Sequence, residues 1–408
     1  MGNLLLSENT RSERTAHYKP NREQAVDVMR GLVMIVMALD HVCEFLLDVP
    51  FDPLDVSQTS AALFITRWVS HFCAPVFVLI AGMGAFLSTT QGRTLQHVSW
   101  RLLTRGLWLV LLEFTLVHFG WFFFKYDFLL GQVIWAIGCS MVALAVLVFL
   151  PIWAITTVGV TLIVCHNIFD AVSVERLGSF QWLWVILMSG GTVDIEGGSW
   201  SLIPFKVLYP VLPWLGIMAA GYGFGQLWQL NSGLRRRYLL ALGIGLTLLF
   251  VAFRALNLYG DNYPWSKQPS SLFTLFSFLD CGKYPPSLLF VLMTLGPSIF
   301  AFAFTDYLPK ILSRPLVTLG RVPLFFYLLH LPLIHFVAVG LAYFRYGNFG
   351  KQFQAVAFSG PGNLPPGEGY KLPVIYLVWL IVVLTLYPVC HRFAELKRQR
   401  HSGWISYL

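Results

Sequence analysis

The sequence is short of charge. Asp, Glu, Lys and Arg together make up 12% of its 408 residues, while 56% are hydrophobic and 16% aromatic. A water-soluble domain cannot hide that much apolar surface, and the mean hydropathy of +0.66 excludes one on the same ground. Cysteine is also scarce. Cys43, Cys73, Cys139, Cys165, Cys281 and Cys390 match no zinc spacing and read as buried thiols in preference to a disulfide framework. No metal is expected. The alternating apolar and polar segments of a membrane barrel are missing, as is the small-residue cleavage pattern that would make the first apolar run a removable signal peptide. No internal repeat is visible, so the inverted symmetry of many transporters has no sequence counterpart here.

What the sequence does have is apolar runs of roughly 18 to 25 residues, and about 20 residues of helix cross the hydrocarbon core of a bilayer. The expectation is an all-α, polytopic transmembrane helix bundle of ten helices, or eleven. They are placed near 26–47, 72–89, 101–123, 129–149, 151–169, 209–229, 238–258, 285–305, 316–343 and 372–391. Residues 1–25 read as a flexible polar segment, 26–391 as one transmembrane domain and 392–408 as a basic tail. The connections 170–208, with GGTVDIEGGSW, 259–284, and 346–371, with SGPGNLPPGEGY, are rich in Gly and Pro and read as loops, not helices.

Basic residues set the orientation. With the amino terminus cytoplasmic, both termini lie inside, and roughly eighteen of the 28 Lys and Arg lie there with them, in agreement with the positive-inside rule. Asp48, Asp52, Asp55, Asp170, Glu175, Asp194, Glu196, Asp261 and Asp280 fall on the other side. The net charge of +8 is then topogenic, which excludes nucleic acid as a partner. A bacterial inner membrane is the expected location.

Ionisable groups inside the apolar runs are the candidate site. RGLVMIVMALDHVCEFLL (30–47) carries Asp40, His41 and Glu44 near its far end, with Asp40 and Glu44 four apart on one face. A charge inside the bilayer costs on the order of 3 kcal/mol even on lenient scales, so such groups face a partner or a water-filled cavity. Capping the membrane interface is the plain alternative. At the same depth stand Arg67 and His71, His118, His330 and His335 (the last beyond Pro332, where a kink is expected), and Lys283 with Tyr284. Glu113 lies nearer mid-membrane and Arg254 at the outer end of the seventh helix. Singly, each histidine reads as a helix-to-helix hydrogen bond and each cation as a snorkelling side chain. Together they point to a polar chamber on the outer side. Histidine accepts a proton at neutral pH, and a partner oriented on its ring makes it a general base. Asp40 diverges from its helical neighbour His41, so that partner must come from elsewhere.

The blocks R(x4)DVMRGLVMIVMALDH, in which Arg22 precedes Asp27 and Arg30, then HFCAPVFVLIAG, GQVIWAIG, YPVLPWLG, KYPPSLLFVLMTLGP and PLFFYLLHLPLIH run in order from residue 22 to about 337. In this order they resemble the bacterial members of the heparan-alpha-glucosaminide N-acetyltransferase catalytic-domain family, multi-helix membrane acyltransferases. The resemblance implies transfer of an acetyl group from cytosolic acetyl-CoA to a sugar amine or hydroxyl across the membrane. Acetyl-CoA is then the co-substrate, a glycan or glycoconjugate the acceptor, membrane lipid the surroundings, and a homodimer a plausible assembly. Arg30, Arg93, Arg101, Arg105, Arg235 and Arg321 are candidates for the CoA phosphates, against a default of topogenic charge. Asp27 and Arg30 either pair structurally or contact the donor.

One departure bears on the catalytic residue. The lysosomal branch resembles this chain with a histidine between its first two helices, and here residues 42–70 contain none. His41 is therefore the first candidate for the base or acyl-accepting group and His71 the second, with Asp40 tuning a partner. Glu44, Arg67, Glu113, His118, Lys283, Tyr284, His330 and His335 are candidates for acceptor binding. Direct transfer and a covalent acetyl-histidine relay both remain open. The alternative is a proton-coupled transporter using the buried His and Glu residues.

Overall fold

A computed structural model describes residues 20–193, 203–347 and 369–399. The helices of these residues are α1 Pro20–Leu46, α2 Ala61–Ser70, α3 Cys73–Thr89, α4 Leu95–Leu112, α5 His118–Phe122, α6 Val133–Leu147, α7 Ile152–Cys165 and α8 Gln181–Trp184. Beyond them come α9 Val211–Phe224, α10 Ser232–Leu256, α11 Ser271–Leu279, α12 Leu288–Phe302, α13 Lys310–Arg321, α14 Pro323–Tyr346 and α15 Leu372–Gln399. Among the described residues, six helical stretches are long and apolar enough to cross a membrane: Ala61–Thr89, Leu95–Phe122, Ile152–Ala171, Ser232–Leu256, Pro323–Tyr346 and Leu372–Gln399. Helices suit such runs because lipid offers no hydrogen bonds, so each backbone group must find its partner within the segment.

A helix occupies each of the ten expected positions, with local differences. α2 precedes the second expected helix, started by Ser60, whose Oγ accepts from the Leu63 amide at 3.3 Å. The ninth expected helix is two, α13 and α14. They break at Val322 (φ −130°, ψ 47°) because Pro323 disfavours helical geometry in the residue before it. Pro332 sits within α14.

The expected loops are partly helical. The stretch 166–189 carries 3-10 turns, α8 and a π turn. Within 259–284 the apolar SLFTLFSFL forms α11, capped by Ser270, because the Gly and Pro residues of that connection gather outside it. Most of GGTVDIEGGSW, including Asp194 and Glu196, and most of SGPGNLPPGEGY lie outside the described residues.

No strands were expected, yet three short ones form a sheet in the order β1 (Leu129–Gly131), β3 (Phe205–Val207), β2 (Gly191–Val193). β1 runs parallel to β3 with Leu129 opposite Phe205, and β2 antiparallel with Gly191 opposite Val207. Three residues are too few for alternation to show in a sequence, and β1 was absorbed into the start of the fourth expected helix.

α1 is the axis of the fold, packed by α2, α3, α13, α14 and α15. Its closest neighbour is α13. A Cβ on Gly31 would lie 2.0 Å from the Leu316 carbonyl oxygen, and one on Gly320 1.9 Å from that of Asp27. Small residues at such crossings let helix backbones touch, the main source of packing energy where lipid and side chain are equally apolar. On another side of α1, the Trp379 indole of α15 donates to the Ile35 carbonyl at 2.8 Å.

Candidate functional site

The two ends of α1 carry different groups. Near its C-terminal end Asp40 and Glu44, one turn apart on a helix face, both pair with Arg67 of α2. The Glu44 contact is 2.9 Å, and the three side chains keep 14%, 25% and 20% exposure for Asp40, Glu44 and Arg67. One guanidinium thus bridges two carboxylates where the buried helix meets the surface.

His41 points elsewhere, toward α14. Its Nδ1 lies 2.6 Å from Nε2 of His330, and the rings stack at 4.9 Å. His330 is fully buried, with Nδ1 3.1 Å from the Phe326 carbonyl oxygen and 2.7 Å from that of Tyr327. Carbonyl oxygens only accept, so the His330 proton sits on Nδ1 and its Nε2 is an acceptor. His41 must then donate from Nδ1, which leaves its own Nε2 with a lone pair. The partner that sequence reasoning required from another element is therefore an imidazole, not a carboxylate. Trp121 closes one side, its ring edge-on to His41 at a centroid distance of 4.9 Å, and Tyr327 lies 6.1 Å away.

A cavity of about 390 Å³ lies along the N-terminal half of α1 and reaches Tyr327, whose ring is 6.1 Å from that of His41. Its inner end is walled by Met37, one turn before His41, and by Tyr327, three residues before His330. Met34, Phe77, Leu109, Ile134 and Ile137 form an apolar shaft, and Arg30, Arg101, Arg105, Arg321 and Lys397 stand at the mouth. Asp27 pairs with Arg30 at 3.4 Å and with Arg321 at 3.7 Å, which holds two of the five cations in place. The reciprocal glycine crossing of α1 and α13 is what brings Arg321 to Asp27.

The other sequence candidates are dispersed. Arg93 lies in the turn before α4 and does not line the cavity. Arg235 is on a different part of the basic face, paired with Asp306 at 3.3 Å. Glu113 begins a π turn, and its Oε2 accepts from the Trp135 amide at 2.7 Å, satisfying an orphan donor at the start of α6. His118 does not join His41: its Nε2 is 2.8 Å from the Lys125 carbonyl oxygen and its ring stacks on Tyr126. His335 stacks on Phe123 at 3.8 Å, with Nδ1 3.1 Å from the Gly120 carbonyl oxygen. His71 caps α2, is 2% exposed, and packs edge-on against Phe290.

Lys283 and Tyr284 come from the connection before α12. Lys283 is buried with its Nζ 5.1 Å from the Tyr284 ring, and Tyr284 Oη lies 3.5 Å from that of Tyr209. Arg254 anchors this connection, donating to the carbonyls of Phe278 at 2.9 Å, Tyr263 at 2.7 Å, Ser277 at 3.1 Å, and Asp280. The Asp280 carboxyl has a displaced titration. Burial, with the negative field of Asp52 behind it, pushes it up to about 6. Asp55, partly exposed, moves the other way, held low by hydrogen bonds from Ser57 and Gln58.

Sequence reasoning missed Lys397, Tyr327 and Trp121. Lys397 was counted with the basic tail. Tyr327 lay inside the quoted block PLFFYLLHLPLIH, where its spacing from His330 was the available signal. All six cysteines are free thiols.

Comparison with curated proteins finds no match. A family model described as "Heparan-alpha-glucosaminide N-acetyltransferase, catalytic" matches residues 22–259. That range includes Asp40, His41, Arg67, Arg30, Arg101 and Arg105, while His330, Arg321 and Lys397 lie beyond it. With more than half of its length matched, the chain belongs to the heparan-alpha-glucosaminide N-acetyltransferase catalytic-domain family, a family of membrane acetyltransferases.

Proposed function

We propose that the protein transfers the acetyl group of acetyl-CoA, taken up at the basic face, to a sugar hydroxyl or amine presented at the acidic face, with His41 as the general base. One observation carries this reading: a cavity lined by five cations reaches Tyr327, whose ring stands 6.1 Å from that of His41. The mouth suits the phosphates of CoA, since guanidinium forks match phosphate oxygens. The apolar shaft suits the thinner pantetheine arm and brings the thioester toward His41. The positive-inside bias makes this face cytoplasmic.

His41 Nε2 accepts the proton of the acceptor hydroxyl or amine as its O or N attacks the thioester carbonyl. The tetrahedral adduct collapses with cleavage of the C–S bond, and the proton on His41 passes to the departing thiolate, so CoA leaves as the free thiol. His330 acts through His41. Locked by two backbone carbonyls, it sets the tautomer that keeps Nε2 basic. Asp40 and Glu44 on that helix end and Arg67 of α2, all partly exposed, supply polar contacts for the acceptor, and Lys283 with Tyr284 flank them. Direct transfer is the favoured route, because His41 directly follows Asp40 on α1 and its ring is 6.1 Å from that of Tyr327, which lines the cavity. No second carrier step is needed.

Calorimetric titration of the lipid-supplemented protein with acetyl-CoA tests this. Saturable binding weakened by Arg101→Ala, together with unaltered binding but lost transfer in His41→Ala, supports the proposal. A folded protein that fails to bind acetyl-CoA overturns it, and an acetyl adduct on His41 after acetyl-CoA alone overturns the direct route.

A further inference from the structure

A second basic cavity lies apart from the first, and nothing in acetyl transfer uses it. α10 opens with Asn231, whose side chain caps the Leu234 amide at 2.9 Å, and then places Arg235, Arg236 and Arg237 in succession. Cations at the start of a helix oppose its dipole, so three arginines there cost energy unless an anion compensates them. Asp306 compensates Arg235 at 3.3 Å. Arg236 is held differently. Its guanidinium lies over the rings of Tyr307 at 4.8 Å and Phe304 at 5.6 Å, and its Nε is shielded from solvent without a hydrogen-bond partner among the described residues. The three arginines, Ser232, Asp306 and Tyr307 line a cavity of about 300 Å³.

An apolar cleft of about 350 Å³ adjoins it, lined by Val28, Leu32, Phe300, Phe304, Leu308 and Leu316. Phe304 joins the two, since its ring walls the cleft and also carries the guanidinium of Arg236. A cationic cavity joined to an apolar cleft on the edge of a membrane helix bundle matches a molecule with an anionic head and a hydrocarbon tail.

We infer that this is a binding site for one anionic phospholipid, its phosphate between Arg236 and Arg237 and one acyl chain in the cleft over Phe304. Charge complementarity decides the class. The lining holds three cations against one carboxylate, and the excess positive charge favours a head group with net negative charge over a zwitterion.

The test is native mass spectrometry of the full chain released from nanodiscs of mixed phosphatidylcholine and phosphatidylglycerol. The wild type is expected to retain one phosphatidylglycerol in preference to phosphatidylcholine. Arg236→Gln with Arg237→Gln should lower that retention about thirtyfold, as expected for loss of two cations near an anionic head group. Leu308→Trp, which fills the cleft, should lower it while leaving the arginines in place. Unchanged melting temperature identifies variants that have kept their fold. Equal retention by the wild type and the double variant overturns the proposal. So does displacement of the bound species by millimolar inorganic phosphate, which would make it a free-anion site, or equal retention of the two lipids.

Discussion

The two ends of α1, some 20 Å apart by helix rise, solve opposite electrostatic problems. At the N-terminal end five cations surround a cavity and Asp27 pairs with two of them. At the C-terminal end Arg67 is closed between Asp40 and Glu44. The first end keeps a surplus of positive charge beside an open volume, which is how a phosphate-bearing ligand is received. At the second every charge is in an ion pair, which lets carboxylates and guanidinium persist within an apolar bundle. His41, beside Asp40, takes part in neither set of ion pairs and is held by the His330 imidazole. On the proposed mechanism, binding and chemistry fall on one helix but on separate groups.

Mutations can break this division. The largest effect is expected from His41→Ala, which should cut acetyl transfer by about 10²- to 10⁴-fold, the usual worth of a general base, while calorimetry shows acetyl-CoA binding unaltered. Loss of binding in the same proportion as rate would abolish the distinction between the two ends. His330→Ala should lower the rate by a smaller factor, and His330→Gln, which retains an acceptor, should recover part of it.

Arg67→Met tests the ion-paired end. It leaves two carboxylates without their cation, and a loss of about 3 kcal/mol in stability is expected, read as a lower melting temperature. Adding Asp40→Asn should restore part of that loss; a further drop would show that Arg67 is not there to neutralise Asp40. At the other end Arg105→Ala should raise KM for acetyl-CoA about tenfold at nearly constant kcat, the scale of one charge-assisted hydrogen bond. A change in kcat alone would place Arg105 in the chemistry and not in binding.

The effect confined to a pH window concerns the acidic face. Asp280 titrates near 6 in the folded protein against 3.8 for a free carboxyl. The folded state therefore holds its proton more tightly, and stability falls as pH rises between those two values, by at most about 3 kcal/mol. Asp280→Asn should flatten the melting temperature between pH 4 and pH 6, roughly the window those values define. An unchanged slope would locate the pH dependence in another group.

Much of the bundle was legible because a bilayer writes its demands in composition: long apolar runs can only be helices. The exceptions were short or made by distant partners. The three-residue strand at Leu129 pairs with the one at Phe205 across more than seventy positions, so no local pattern announces it. α11 was hidden by the Gly and Pro residues on either side of it. At the site, Asp40, His41, Glu44 and Arg67 stood out as ionisable residues in apolar surroundings, and the structure gathers Asp40, Glu44 and Arg67 into one cluster. Glu113, His118 and His335 stood out for the same reason but meet backbone groups and aromatic rings. Depth along a helix is readable from residue number; the direction a side chain takes around the bundle is not.

The sequence by itself determined an all-α membrane protein, the segregation of basic from acidic connections, and the residues able to do acid–base chemistry. These rest on local quantities: hydrophobicity, charge and side-chain type. Only the tertiary structure decided that His41 meets His330, that Lys397 joins Arg30 and Arg101 at one mouth, and that Arg235 does not. Those pairings join residues up to some 370 positions apart, and they depend on how helices cross. The crossing is set by contacts such as Gly31 against Leu316, whose partner no single stretch of sequence reveals.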